Sequence, residues 1–577
     1  MSIFLKLNIP SWPRWRALSK VLALRERLIL LLLVFIFILS SLGIFINYYY
    51  KNTVIVPAWG GQYKEALVGY PQYINPLFAE TNEVDAALRV LIFSGLMKYN
   101  NTGLLEPDIT EKYEILDSGK TYIFNIRKNV FWHNGKQLTA DDVVFTINAF
   151  QNPEYKSPMA LNWRGVNIEK IDDFSVKFSL DNAFAPFLEN LTVGILPKHI
   201  WENIPPSTAQ ISDYNLSPIG TGPYKFLKIE KDSEKTNIVK KIDLKANENY
   251  YLGKPFIDIV TLKFYDSEED TIKAFKDNEV DGISYLSPQN KDRISSIRET
   301  IVRELKIPRY FAIFFNQTKS RALTDKKVRR ALAFATNKQQ IIDEVLLGQA
   351  DVVDTPILRG ILGIENFTAT YDFSLEKAKK ELSEWKDSDK DGILDKKFSK
   401  IDKEPTKLEI TLYTSDWVEL VKIANLLKQQ WEAIGGIKVN IVVENINDLT
   451  QKVIRPREFE SLLFGEILYM DPDPFSFWHS SQKKDPGLNL AMYDSPDVDK
   501  LLEQARQTMN YNERIKKYDT FQQIITEDLP AIFLFSPHYL YAMSGLIRGV
   551  DIKNIASPAR RFSNIEKWYI KTQRKTK

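Results

Sequence analysis

Residues 28–47 read LILLLLVFIFILSSLGIFIN, twenty positions without a single charge. At about 1.5 Å of rise per residue such a helix spans roughly 30 Å, the thickness of a bilayer's hydrocarbon core. Lys6, Arg14, Arg16, Lys20, Arg25 and Arg27 precede it, against the one acid Glu26. Positive flanks stay on the cytoplasmic side, so the rest of the chain is expected outside. Tyr48, Tyr49 and Tyr50 follow at the level of an interfacial aromatic belt. A cleaved signal peptide is the alternative. The run exceeds the roughly 7–15 residues of a signal core, and no small-x-small cleavage site follows it. The sequence therefore predicts a cytoplasmic basic tail over 1–27, a single-pass anchor over 28–50, and an exported body.

That body belongs to a chain of 577 residues, long enough for two to four domains. Lys and Arg number 77 against 74 Asp and Glu, a balance that argues against nucleic acid as a partner. With no cysteine, disulfides, thiol chemistry, cysteine zinc sites and an acylated lipoprotein anchor are all excluded. The four histidines, His133, His199, His479 and His538, form no HxxxH or HExxH pair. GxSxG and GxxxxGK[ST] are also missing, so hydrolase and P-loop readings fall away and no enzyme is expected.

The body alternates strand-like and helix-like segments, which predicts α/β architecture. KTYIFNIRKNVFWH (120–133), FSVKFSL (174–180) and TGPYKFLKIEK (221–231) read as strands or as turns leading into strands. Thr139 can cap a helix whose first turn holds Asp141 and Asp142, a structural use for those acids. Val328, Ala331, Leu332 and Ala335 have helical spacing. Asn337 resembles an N-cap with Gln340 three residues on, and Gly348 is expected to end that second helix. Leu420, Ala424, Leu427, Trp431 and Ile434 form an apolar stripe closed by Gly435 and Gly436, followed by the strand IKVNIVV (437–443). DSDKDGILD (387–395) sets Asp387, Asp389, Asp391 and Asp395 at calcium-loop spacing with Gly392 sixth. Phe398 stands where the bidentate Glu belongs, so the alternatives are a structural calcium site and a solvated acidic turn.

Seven stretches in order then carry a resemblance: YPQYINPLFAETNEVDAALRVLIFSGLMKYN (70–100), GKTYIFNIRKNVFWHNGKQLTADDVVFTINAF (119–150), GILPKHIW (194–201), PIGTGPYKF (218–226), FFNQTKSRALTDKKVRRALAFATNKQQIIDEVLLGQA (314–350), DPDPFSFWHSS (471–481), and the pair MYDSPDVDKLLEQAR (492–506) with YDTFQQIITEDLPAIFLF (518–535). Together they resemble the family 5 solute-binding proteins, the receptors of peptide, dipeptide and nickel ABC importers. The resemblance implies a periplasmic-binding-protein-like two-lobe fold of the large peptide-receptor type. Lobe I is expected from 51–80, 217–306 and 540–577, its extra domain from 81–216, and lobe II from 307–539. The hinge is expected near 306–315 and 536–540.

The resemblance also implies a function: a membrane-anchored receptor that closes on a solute, favouring an oligopeptide, and delivers it to an ABC permease and ATPase. It implies a monomer and no required cofactor. A metal chelate, an oligosaccharide or a sensed signalling peptide remains the alternative. In the family's peptide receptors an Asp before the DPDPF-like stretch holds the ligand's α-amino group, and here that position falls on Leu468. Glu466 is the available substitute, or else a surface strand residue. Tyr73, Trp163, Tyr310, Phe314, Tyr469 and Trp478 are the aromatics expected near the cleft, while Asp471 and Asp473 are expected to shape a turn.

Overall fold

A computed structural model describes residues 22–78, 82–232, 238–361, 364 and 371–577. Lys6, Arg14, Arg16 and Lys20 of the expected basic tail lie outside the described residues. The described residues divide into two compact units, 22–59 with 571–577, and 60–570. In the first, helix α1 (Leu24–Asn52) buries none of its residues. Among the described residues it is the one helix long and apolar enough to cross a membrane. It runs directly into strand β1 (Thr53–Ala58), which pairs antiparallel with the last strand, Lys571–Thr576, from Thr53↔Thr576 to Ala58↔Lys571.

The second unit contains twelve strands joined by hydrogen bonds. One group is β2 (Gln62–Val68), β3 (Tyr224–Lys231), β4 (Val239–Ala246), β5 (Ile259–Tyr265), β6 (Gly282–Leu286) and β7 (Thr300–Lys306). β2, β5 and β6 run parallel. Helix α2 (Glu83–Ile92) packs beside this group, capped by Asn82, whose side chain accepts from the Val84 N–H. Between β2 and β3 in sequence lies a separate four-stranded antiparallel sheet (110–116, 121–126, 175–180, 166–172). Helix α3 (Ala140–Gln151) covers it and opens as expected: the Thr139 N–H donates to Asp142 at 3.0 Å in a capping box.

The other group is β8 (Arg309–Phe315), β9 (Ala350–Val352), β10 (Glu409–Ser415), β11 (Lys438–Glu444) and β12 (Ser461–Ile467). β8 reads RYFAIFF because both its faces are covered. Tyr310, Ala312 and Phe314 enter one apolar cluster, and Phe311, Ile313 and Phe315 enter another. Helix α4 (Val418–Glu432) joins β10 to its parallel neighbour β11, and Gly435 and Gly436 take the positive φ values, 91° and 74°, that let the chain turn back. Helices Lys326–Ala335 and Lys338–Glu344 form where expected, with Asn337 accepting from the Gln340 N–H at 3.1 Å. The second stops at Glu344; Gly348, at φ 76°, turns the chain after the helix has already ended.

Strand β13 (Ala531–Ser544) is common to both groups. Its first half pairs with β8, from Phe311↔Phe535 to Phe314↔Ala531. Its second half pairs with β7, from Lys306↔His538 to Thr300↔Ser544, and with β6. The apolar clusters respect the same division. Those around the first group take residues from Tyr63 to Ile307 and again from Tyr539 to Trp568, whereas the other two draw on Tyr310 to Phe535. The chain passes between the groups at Ile307–Pro308 and again around Ser536–His538.

Candidate functional site

The strand registers bring two edges face to face. β2, β5 and β6 end together at Val68, Tyr265 and Leu286, and Leu286 pairs with Leu540 beside the middle of β13. In the other group β12 ends at Ile467 directly opposite Arg309, the first residue of β8. β10 is parallel to β12 and ends at Ser415 on the same side, so α4 begins there too. Both carboxyl edges therefore point at the place where the chain crosses. In α/β folds this edge is where ligands sit, because side chains of several strands and the free N–H groups of a helix start converge on it.

The side chains on these edges are unusual for a surface. Trp417, Ile467 and Tyr469 are 42 %, 62 % and 52 % exposed. Trp417 packs against Phe311, with ring centroids 5.9 Å apart. From the other edge Tyr285 lies 5.6 Å from Tyr539, ring to ring, and burial pushes its phenol up to about 12. The loop carrying Tyr73 is fixed by Asp85, whose carboxylate accepts the Gln72 and Tyr73 N–H groups at 2.8 and 2.9 Å. Burial holds Asp85 at about 6 despite those donors. Tyr73 itself is half-buried against Phe78.

Glu466 lies one residue inside the edge and is buried, not on the strand's exposed face. It sits opposite Tyr310, whose hydroxyl donates to its Oε2. Oε1 meets no hydrogen-bond partner among the described residues. Desolvation by the surrounding apolar cluster drives the carboxyl up to about 8, with the Tyr310 hydrogen bond pulling the other way. Tyr310, Phe314 and Trp478 are themselves buried there and pack on one another and on Phe533. Leu468 is buried in the same cluster. Trp163 lies elsewhere, stacked on Phe150 under α3 at 5.6 Å. Asp471 and Asp473 form ion pairs, with Arg514 at 2.8 Å and with Arg506 at 2.5 Å. Glu189, from the inserted region, accepts the Asp471 N–H at 2.9 Å.

Residues 105–487 match the family described as bacterial extracellular solute-binding proteins, family 5. The chain belongs to this family. Its members are binding receptors rather than enzymes. The oligopeptide-binding protein AppA of Bacillus subtilis is 30% identical over 90% of this chain and 93% of its own length. The structure of AppA in complex with a nonapeptide superposes with a TM-score of 0.71 at 29% identity, covering 89% of this chain and all of that one. NikZ from Campylobacter jejuni, solved with Ni(L-His), gives 0.72 at 28% identity over 88% of this chain and 99% of its own. The fold is accordingly the two-lobe, periplasmic-binding-protein-like α/β architecture of these receptors.

The acidic loop lies apart from the facing edges. Asp387, Asp389 and Asp391 are exposed and bring their carboxylates within 4.8 Å of one another. Gly392, at φ 88°, donates its N–H to Asp387. Asp395 does not join them: it is buried and accepts from the Ser388 N–H and hydroxyl at 2.9 and 2.8 Å. The Lys407 ammonium sits against Asp389, at 2.8 Å, and against Asp391. Phe398 packs on Trp385. Three carboxylates with a cation already among them are a partial fit for calcium, which takes about 6–8 oxygens.

Arg309, Tyr285, Trp417 and Ile467 were not singled out from the sequence. Trp417 had the best available signal, an aromatic at the start of a helix that leaves a parallel strand.

Proposed function

We propose that the protein is a membrane-anchored receptor of an ABC importer that captures oligopeptides outside the cell and passes them to a permease without altering them. α1 would be the uncleaved anchor, with the basic tail inside. Residues 51–80, 217–306 and 540–577 would form lobe I, 81–216 its extra domain, and 307–539 lobe II, bending around Ile307–Pro308 and Ser536–His538. The observation carrying this reading is that two carboxyl edges face each other at that crossing with Trp417, Ile467 and Tyr469 exposed. Large apolar side chains left in water at a strand edge mark a surface meant to be covered. Tyr73, Tyr469 and Glu466 would meet the ligand, with Tyr310, Phe314 and Trp478 as the wall behind them. Trp163 would steady the extra domain. The AppA complex, whose ligand is a nonapeptide, supports the choice of peptide.

Leu468 favours a second reading, a smaller solute such as an amino-acid metal chelate, since an apolar residue there removes one receptor for a peptide amine. NikZ, solved with Ni(L-His), is comparably similar to this chain. Mass spectrometry of what co-purifies with the full chain separates the two: recovered peptides support the first, a metal complex the second. Absence of any peptide binding, with scattering profiles unchanged by every peptide tried, would end the first. The acidic loop is proposed as a weak, structural calcium site in which the ion competes with Lys407.

A further inference from the structure

Arg309 is a cation placed where a protein seldom leaves one alone. It opens β8 at the crossing between the lobes, and its Nε is buried without a hydrogen-bond partner among the described residues. Its guanidinium lies over the Phe311 ring at 5.8 Å, and Phe311 in turn packs on Trp417. No carboxylate lies within ion-pair distance of it among the described residues. Burial lowers its proton affinity, opposed only by the more distant Tyr285, Glu83 and Tyr539. Three other buried arginines have their acceptors: Arg561 has Glu65, Arg514 has Asp471, and Arg329 has the Leu323, Asp528 and Leu529 carbonyls. The Nε groups of Arg303 and Arg330 also lack a partner among the described residues, but neither residue stands at the crossing. A partly desolvated, unpaired guanidinium is costly, and a fold that retains one at a binding edge has left it for a ligand's charge.

The surroundings specify the rest. Ile467 is directly across from Arg309 in the β-ladder and open to solvent. α4 begins beside Trp417, and among the described residues no side chain caps its first N–H groups. A planar cation with a helix start nearby suits an acid group, and the exposed Trp and Ile suit an apolar body attached to it. Beyond burial, Glu419, Glu268 and Glu83 are near enough to Tyr285 to raise its phenol, while Arg309 lowers it, so the cation is set among acids that would repel a surplus of negative charge.

Given that the facing edges bind a solute, we propose that Arg309 is the anion receptor of the site: it pairs with a carboxylate of the solute, whose apolar portion lies on Trp417 and Ile467.

The full-length protein in detergent is incubated with a mixed pool of free-acid peptides, the same peptides as carboxyl-terminal amides, and non-peptide carboxylic acids. What stays bound is identified by mass spectrometry for wild type, Arg309→Met and Arg309→Lys. Wild type should retain acids over amides. Arg309→Met should lose about 10- to 100-fold in affinity for them, the worth of a charge-assisted hydrogen bond, and Arg309→Lys should lose less. Without ligand, Arg309→Met should melt no lower than wild type, because a stranded cation is removed; a structural arginine would give the opposite. Acids and amides retained equally, or Arg309→Met binding as wild type does, would overturn the assignment while leaving a peptide receptor intact. Non-peptide acids retained alone would keep Arg309 and discard the peptide. Retention of nothing from the pool would remove both.

Discussion

Replacing Glu466 by Gln isolates the cost of a buried acid next to the proposed site. In the folded chain this carboxyl protonates at about 8, against an ordinary value of 4.5, because the cluster of Tyr310, Trp478 and Leu468 excludes water. Below pH 4.5 both states hold the proton and Glu466 adds no pH dependence. Between 4.5 and about 8 the unfolded chain ionises while the folded one keeps its proton, so stability falls as pH rises and levels off above 8. The difference in proton affinity corresponds to about 5 kcal/mol, which relaxation and water entry would cut to about 3. Gln keeps the size and an acceptor for Tyr310 but never ionises. Glu466→Gln should therefore match wild type at about pH 4 and be about 3–5 kcal/mol more stable at pH 8.5. Urea midpoints at half-unit pH steps measure this, and subtraction removes the shared contributions of Glu189 and Asp85, whose carboxyls burial also raises. Parallel curves for the two proteins across that range would refute the reasoning. If an ammonium group of the ligand docks on Glu466, binding at pH 7 should also release a proton, read by titration calorimetry in buffers of different ionisation enthalpy.

Other perturbations bear on other parts of the molecule. Arg561→Met strands Glu65, which is fully buried and also accepts from Tyr63 and Tyr541. It should cost about 3–5 kcal/mol, and the double change Arg561→Met with Glu65→Leu should recover most of that, because the two tyrosine hydroxyls can still bond each other. Equal loss in single and double variants would assign the cost to packing instead. Removing residues 1–52 should move the protein from the membrane fraction to the soluble one; persistence in the membrane would exclude α1 as the sole anchor. Millimolar calcium should raise the melting temperature slightly, and more so in Lys407→Met, where the competing ammonium is gone. No shift in either protein would leave the acidic loop a solvated turn.

Local chemistry was readable before any coordinates, and tertiary placement was not. The Thr139 box, the Asn337 cap and the α4–β11 unit each depend on residues within a few positions of one another, so spacing reveals them. Gly348 misled because a glycine with positive φ serves a turn as readily as a helix end. Glu466 looked ambiguous because β12, covered on both faces, has no alternation to tell inside from outside. Asp395 fits calcium spacing along the chain, yet the bend at Gly392 hands it to Ser388. Arg309 was hidden most completely: its isolation depends on what β12, β6 and α4 fail to bring near it, a property of register that no window of sequence contains.

The pairing of β1 with Lys571–Thr576 puts the carboxyl terminus against the end of α1, where the Lys577 N–H donates to the Asn52 carbonyl at 3.0 Å. The end of the last strand and the exit of α1 thus share one spot. With α1 as the proposed anchor, a reporter or affinity label fused after Lys577 would sit beside the exit of that helix and would compete with β1 for room. Labels meant to report on residues 60–570 belong in the exposed loops of that unit, and a protease that cuts after Ala58 would still leave β1 held to Lys571–Thr576 by their ladder of backbone bonds.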